Sequence, residues 1–139
     1  MRMLSMIGLI ALFVTPLYAQ EGVGRDPSEG RVGRSRFTSG IDNREPIDEI
    51  TTLTNDVRKI YYFTEIRELA GQTVTHRWEY NGKVMAETSF NIGGPLWRIW
   101  SSKNLLPGWV GEWKVSVVDA AGNIVGENTF TYTKAGGRE

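Results

Sequence analysis

Between Arg36 and Tyr132 the chain is a succession of short runs rich in aromatic and β-branched residues, each closed by a turn signal. That rhythm admits few folds, because strands of this length must pair in sheets and bury one face. Eight strands are predicted: Arg36–Ile41, Ile47–Thr51, Arg58–Ile66, Thr73–Tyr80, Lys83–Ile92, Leu96–Ser102, Glu112–Asp119 and Ile124–Tyr132. The second is the weakest, being short and preceded by Pro46, and Thr54 to Arg58 has a brief helical turn as its alternative.

Side-chain alternation tests the hairpins. In Thr73–Tyr80 the apolar set is Val74, Trp78 and Tyr80, and in the next strand Val84, Ala86, Phe90 and Ile92. A two-residue Asn81-Gly82 loop with a regular ladder sets one strand's apolar face against the other's polar face. A bulged three-residue loop, Tyr80-Asn81-Gly82, is therefore expected, pairing Trp78 with Val84 and His76 with Ala86. For the last hairpin a four-residue loop, Ala120-Ala121-Gly122-Asn123, sets Trp113 opposite Phe130.

The first twenty residues have another character. Arg2 precedes a mostly apolar, uncharged run from Leu4 to Val14, Pro16 breaks it, and Ala19 stands where a signal peptidase cuts before Gln20. The run is short for a bilayer, which needs about twenty apolar residues. Residues 1–19 are thus expected to be a signal peptide, 20–35 a flexible linker, 36–133 the domain and 134–139 a disordered tail. The expected address is outside the cytoplasm, in the periplasm, with an uncleaved membrane anchor as the alternative. After cleavage no stable membrane insertion is expected.

Several runs resemble a bacterial family known as domain of unknown function 2914. They are Phe37-Thr38-Ser39-Gly40-Ile41-Asp42-Asn43-Arg44-Glu45-Pro46, Tyr62-Phe63-Thr64-Glu65, Gly71 to Tyr80, Trp97-Arg98, Ser101 to Leu105 and Gly111-Glu112-Trp113. The resemblance covers roughly Arg36 to Tyr132 and implies an exported or membrane-associated bacterial protein; it brings no activity and no catalytic residues. The ending Trp113 to Asn123 also resembles the last hairpin of bacterial immunoglobulin-like domains. The expected fold is all-β: a single immunoglobulin-like antiparallel β-sandwich of about seven to eight strands.

Composition removes much chemistry. The chain has no cysteine and one histidine, so thiol nucleophiles, thiolate metal sites and redox pairs are absent and a zinc site is not expected. Sixteen basic and sixteen acidic residues balance without a basic stripe, which argues against nucleic acid. His76 shares a strand face with Val74, Trp78 and Tyr80 and reads as a core residue, not a base. No Gly-x-Ser-x-Gly elbow or phosphate-cradling glycine loop occurs. No catalytic residue, metal or cofactor is expected.

Two candidate surfaces remain. The loop from Lys103 to Gly111 carries Asn104, Leu106 and Trp109, and Trp97 and Arg98 lie on the strand before it. Aromatic and apolar loop residues on a rigid scaffold suggest a contact surface; the competing reading is a loop folded back over one end of the core. The second candidate is Asp42-Asn43-Arg44-Glu45, where acids cluster with Asp48 and Glu49, although a locally bonded turn explains it as well. The leading expectation is a non-catalytic exported module that contacts a protein partner or envelope component. A carbohydrate-binding module stacking sugars on the tryptophans, with Arg98, Lys103 and Asn104 as hydrogen-bond donors, is the second. A glycan-active enzyme using the acids between Asp42 and Glu49 is the third. If Ile47–Thr51 is a strand, alternation places Asp42–Glu45 and Lys103–Gly111 at opposite ends; if it is not, they converge at one end as a joint site.

Overall fold

The computed structural model describes residues 29–136, so the expected signal peptide and most of the expected linker lie outside the described residues. The order is β1 (Arg31–Thr38), β2 (Ile41–Asp42), β3 (Glu45–Pro46), β4 (Thr52–Thr54), β5 (Lys59–Arg67), β6 (Thr73–Tyr80), β7 (Lys83–Asn91), β8 (Leu96–Asn104), β9 (Gly111–Val118) and β10 (Ile124–Thr133). A three-stranded sheet, β1-β5-β8, faces a five-stranded sheet, β4-β10-β9-β6-β7. This is the expected sandwich, with an immunoglobulin-like strand order. It departs from an all-antiparallel arrangement only at β4, which runs parallel to β10.

The core fills from alternate residues of both sheets. Ile60, Tyr62 and Ile66 of β5 meet Val74 and Trp78 of β6, Trp113, Val115 and Val117 of β9, and Phe130 and Tyr132 of β10. Phe37 of β1 stands edge-on to Phe130 at 4.7 Å between ring centroids, and Trp113 stacks on Tyr80 at 4.8 Å. Such pairs add to the area they bury, because ring edge and ring face carry opposite partial charge.

Into this apolar interior the chain places one polar line. Trp78 Nε1 donates to Ser101 Oγ at 3.1 Å, Ser101 Oγ lies 2.7 Å from His76 Nδ1, and His76 Nε2 lies 3.0 Å from Thr64 Oγ1. These four residues, from β6, β8 and β5, are buried, and His76 is at 0% exposure, as the sequence led us to expect. Unpaired, these groups would carry a heavy desolvation penalty; joined, they fix which strand lies above which.

Several boundaries and registers differ from expectation. β1 starts at Arg31, inside the expected linker, because residues 31–35 pair with β5. It stops at Thr38, where Asp48 takes over: its carboxylate accepts from Ser39 N at 2.8 Å and Thr38 Oγ1 at 2.6 Å. Ile47–Thr51 is not a strand. Pro46 offers no amide, Ile47 is exposed, and Ile50 forms a single bridge with Phe37 before β4 begins. The expected tail also has a tie, since Ala135 N donates to Asn55 Oδ1 at 2.8 Å.

The β6–β7 hairpin keeps the two-residue turn that alternation had rejected. Asn81 and Gly82 have φ of 51° and 81°, the left-handed pair of a tight hairpin turn. Tyr80 pairs with Lys83, and a bulge at Met85 then moves the register, so that Trp78 faces Ala86 and Val74 faces Phe90. The parity conflict is real, but it is resolved two residues after the turn. Val84, before the bulge, points away from the core and is exposed. In β9–β10 the loop is three residues with Gly122 at φ 90°, since Asp119 N donates to Asn123 O at 2.9 Å. A second irregularity between Ile124 and Gly126 then brings Phe130 opposite Trp113, as expected.

Burial pushes the His76 imidazole down to about 3 from 6.5. The unfolded chain therefore binds a proton that the folded chain refuses. Stability is full above pH 6.5 and falls as pH drops through the window from 6.5 towards 3, by about 1.4 kcal/mol per pH unit. Denaturant unfolding between pH 6.5 and 4.5 should show this slope, and His76→Gln should flatten it while lowering stability at pH 7 by about 1–3 kcal/mol. An unchanged slope in the variant would assign the acid sensitivity to other groups.

Candidate functional site

The smaller sheet's outer face is laid out in cross-strand rows. Arg34, Glu65 and Arg98 form one row, and Arg36, Phe63 and Trp100 the next. Glu65, only 5% exposed, is held by Arg34 Nε at 3.3 Å and Arg67 Nη2 at 2.9 Å. Phe63 is fully buried although it points away from the core, with the Arg34 guanidinium 5.1 Å from its ring centroid.

The β2–β3 hairpin folds back across this face. Glu45 takes a bidentate pair from Arg34, both bonds at 3.0 Å, and lies 3.4 Å from Arg98 Nε. The hydrogen bond from Arg34 holds the Glu45 carboxyl below the usual carboxylate range. A glycosidase acid needs the opposite shift, so Glu45 is a poor proton donor. Asp48 is bound to Ser39 and Thr38 at the hairpin's base. Among the described residues no three His, Asp or Glu side chains converge as metal ligands.

Glu45 and Arg98 are neighbours, whereas Asn104 lies six residues further along β8, about 20 Å at the rise of a strand. The two candidate loops therefore form no joint site, although the absence of a strand over Ile47–Thr51 predicted one, because Glu45 draws the β2–β3 hairpin back along the sheet to Arg34 and Arg98. The Lys103–Gly111 loop folds over its own end of the core. Leu105 is buried, with its amide donating to Arg58 O at 2.9 Å, and Trp109 O accepts from Trp113 Nε1 at 3.0 Å. The half-buried Trp109 ring sits 5.7 Å from Trp113, with the Lys103 ammonium 5.1 Å from its centroid. Leu106 and Val110 remain exposed, and so does Val57 in the adjoining turn, tied there by Asn55 Nδ2 donating to Pro107 O at 2.9 Å.

What the structure does bring together is a shallow, open groove of about 300 Å³ lined by Arg44, Phe90, Trp97, Arg98, Ile99 and Trp100. It unites Trp97 and Arg98 with Arg44, which come from different expected surfaces, and leaves out Lys103, Asn104, Leu106, Trp109, Asp42 and Asn43. It runs along the free edge of β8, touching both its faces, with Phe90 contributed by β7 of the other sheet. Trp97 points to the core side beneath the β7–β8 turn, where a Cβ on Gly93 would come within 2.6 Å of the indole. Trp100, on the other face, was legible only as the residue of opposite parity to Trp97. Phe90 read simply as core.

Two hairpin turns in this chain share a left-handed pair of residues. One is Asn81-Gly82, as the geometry favours; the other is Asn43-Arg44, with Arg44 at φ 65°. A long side chain there costs about 1 kcal/mol that glycine avoids. Arg44 is exposed and makes no ion pair among the described residues. Arg44→Gly should stabilise the fold by about 1 kcal/mol, read as a Tm increase of about 4–8 °C. A loss of stability would show that Arg44 serves the fold itself.

A second hollow, of about 190 Å³, lies on the outer face of the larger sheet among Glu79, Asn81, Gly82, Glu112, Lys114 and Thr129. It is polar and has no aromatic wall. No curated protein matches the chain. Residues 71–132, from β6 to β10, match the model of the family described as "Protein of unknown function (DUF2914)".

Proposed function

We propose that the chain is a non-catalytic exported module that binds a protein partner, with the β7–β8 groove as its contact surface. The groove carries the proposal: aromatic walls and two arginines line a concavity that no described part of the chain fills. Tryptophan and arginine are the side chains that dominate binding energy when a partner covers them. The reading of export rests on the Leu4–Val14 run, Pro16 and Ala19. No helix among the described residues is long and apolar enough to cross a membrane.

Two features support a binding role over a catalytic one. The hydroxyl–histidine contacts among the described residues, His76 with Ser101 and with Thr64, are sealed in the core, and Ser101 Oγ already accepts from Trp78. The carboxylates of the outer face are held in ion pairs with arginines. A glycan platform has less support, because Trp97 and Trp100 stand on opposite faces of β8 and do not form one plane.

Photocrosslinking in living cells tests this. A photoreactive residue replacing Trp100 should yield a discrete protein adduct, and one replacing Glu127 on the far sheet should not. An adduct only from a probe at Leu106 would move the contact to the end of the sandwich and contradict the assignment.

A further inference from the structure

The sandwich has four sheet edges, and three are guarded. β1 is interrupted between Val32 and Arg34, β4 is three residues long, and β7 carries its bulge at Met85 between Lys83 and Glu87. Bulges, short edges and edge charges are the devices that keep a sheet from recruiting a foreign strand. β8 has neither of the first two. It runs nine residues, its register with β5 is unbroken from Leu96 to Asn104, and it contains no proline or glycine. Every second residue on its free side turns an N–H and a C=O away from β5.

The space beside β8 is also shaped for a strand. β8 lies over β6, held by the Trp78–Ser101–His76 bonds, while β7 is the next strand of the larger sheet and projects beyond. In the constant-type immunoglobulin order a fourth strand would follow β8 in the smaller sheet. Here only residues 92–95 join β7 to β8, too few to make one. The core-facing residues of β7, Ala86, Thr88 and Phe90, are consequently left half-covered or exposed.

The groove there is lined by Arg44 and Arg98 and by no acid. Arg98 approaches Glu45 only through Nε, at 3.4 Å, and Arg44 has no ion-pair partner among the described residues. We infer that the free edge of β8 is a strand-addition site for an extended acidic peptide segment. Its backbone pairs with β8, its carboxylates meet Arg44 and Arg98, and alternate side chains cover Ala86 and Phe90. The inference rests on the binding-module reading and names its ligand. A second copy of the chain suits the edge less well, since self-pairing gathers two Arg44 and two Arg98 on one ribbon.

The test pans a displayed library of random twelve-residue peptides against the full-length chain. Recovered sequences should alternate Asp or Glu with β-formers and lack internal proline. The best of them, synthesised, should slow amide exchange along β8 and not along β7. N-methylation at alternate residues should abolish its binding. Arg44→Gly, with its fold checked by its Tm, and Arg98→Gln should each weaken it about tenfold, the worth of one charge-assisted bond pair. Recovery of neutral, basic or proline-rich peptides, or of none, would overturn the inference. So would indifference to N-methylation, tighter binding of oligogalacturonate than of any peptide, or β8 amides already protected in the chain alone. If the probe at Trp100 captures a partner in cells while the library yields no acidic strand, the module stands and strand addition falls. A positive library without a cellular adduct leaves strand addition standing and removes only the role assigned in cells.

Discussion

The line of hydrogen bonds from Trp78 through Ser101 and His76 to Thr64 sets the relation between the two sheets. Hydrophobic side chains alone would tolerate some sliding of one sheet over the other. Four buried polar groups do not, because a slip leaves each unpaired at a penalty of about 1–3 kcal/mol. The line locates β8 above β6, and everything at the margin follows. β7 projects past its facing sheet, Phe90 is only partly covered, and the edge of β8 opens onto a groove. Ser101 and His76 have the contact distance of a nucleophile and its base, yet here they are structural.

The outer face of the smaller sheet is organised by a different force. Glu65 and Glu45 are each held by two arginines, so the β2–β3 hairpin is laid down across the sheet by charge rather than by apolar contact. The hairpin tip then places Arg44 at the groove, in a backbone conformation that suits glycine better. Anchoring is done by Glu45 and Asp48, and presentation by Arg44. The acidic loop of the sequence is therefore one half of an arginine-rich surface.

Much of the fold was legible because the period of a strand is two. Trp78, Trp113, Val115, Val117 and His76 were assigned to the core by parity alone, and all are at 0% exposure. The same rule showed that β6 and β7 could not pair regularly across a tight turn, but it put the irregularity in the loop instead of at Met85, and so set Trp78 opposite Val84 where the structure has Ala86. A bulge leaves no fixed residue type behind, so its position was hidden. The site was less legible. Trp97 and Arg98 were singled out, but their union with Arg44 depends on Glu45 finding Arg34 across 11 residues of sequence, and Phe90 comes from the other sheet. The Lys103–Gly111 loop attracted notice for its Trp109, whose ring is largely committed to Trp113 and Tyr80.

The groove can take a partner strand only if β8 is an open edge. Residue-resolved amide exchange on the isolated chain reads this directly. Amides of β8 that face β5 should exchange slowly, and those on the alternate residues should exchange close to the rate of exposed peptide, giving an on-off pattern from Leu96 to Asn104. Uniform protection along β8 would mean that the edge is already paired, and the groove would then be a seam of the folded chain with no place for a partner.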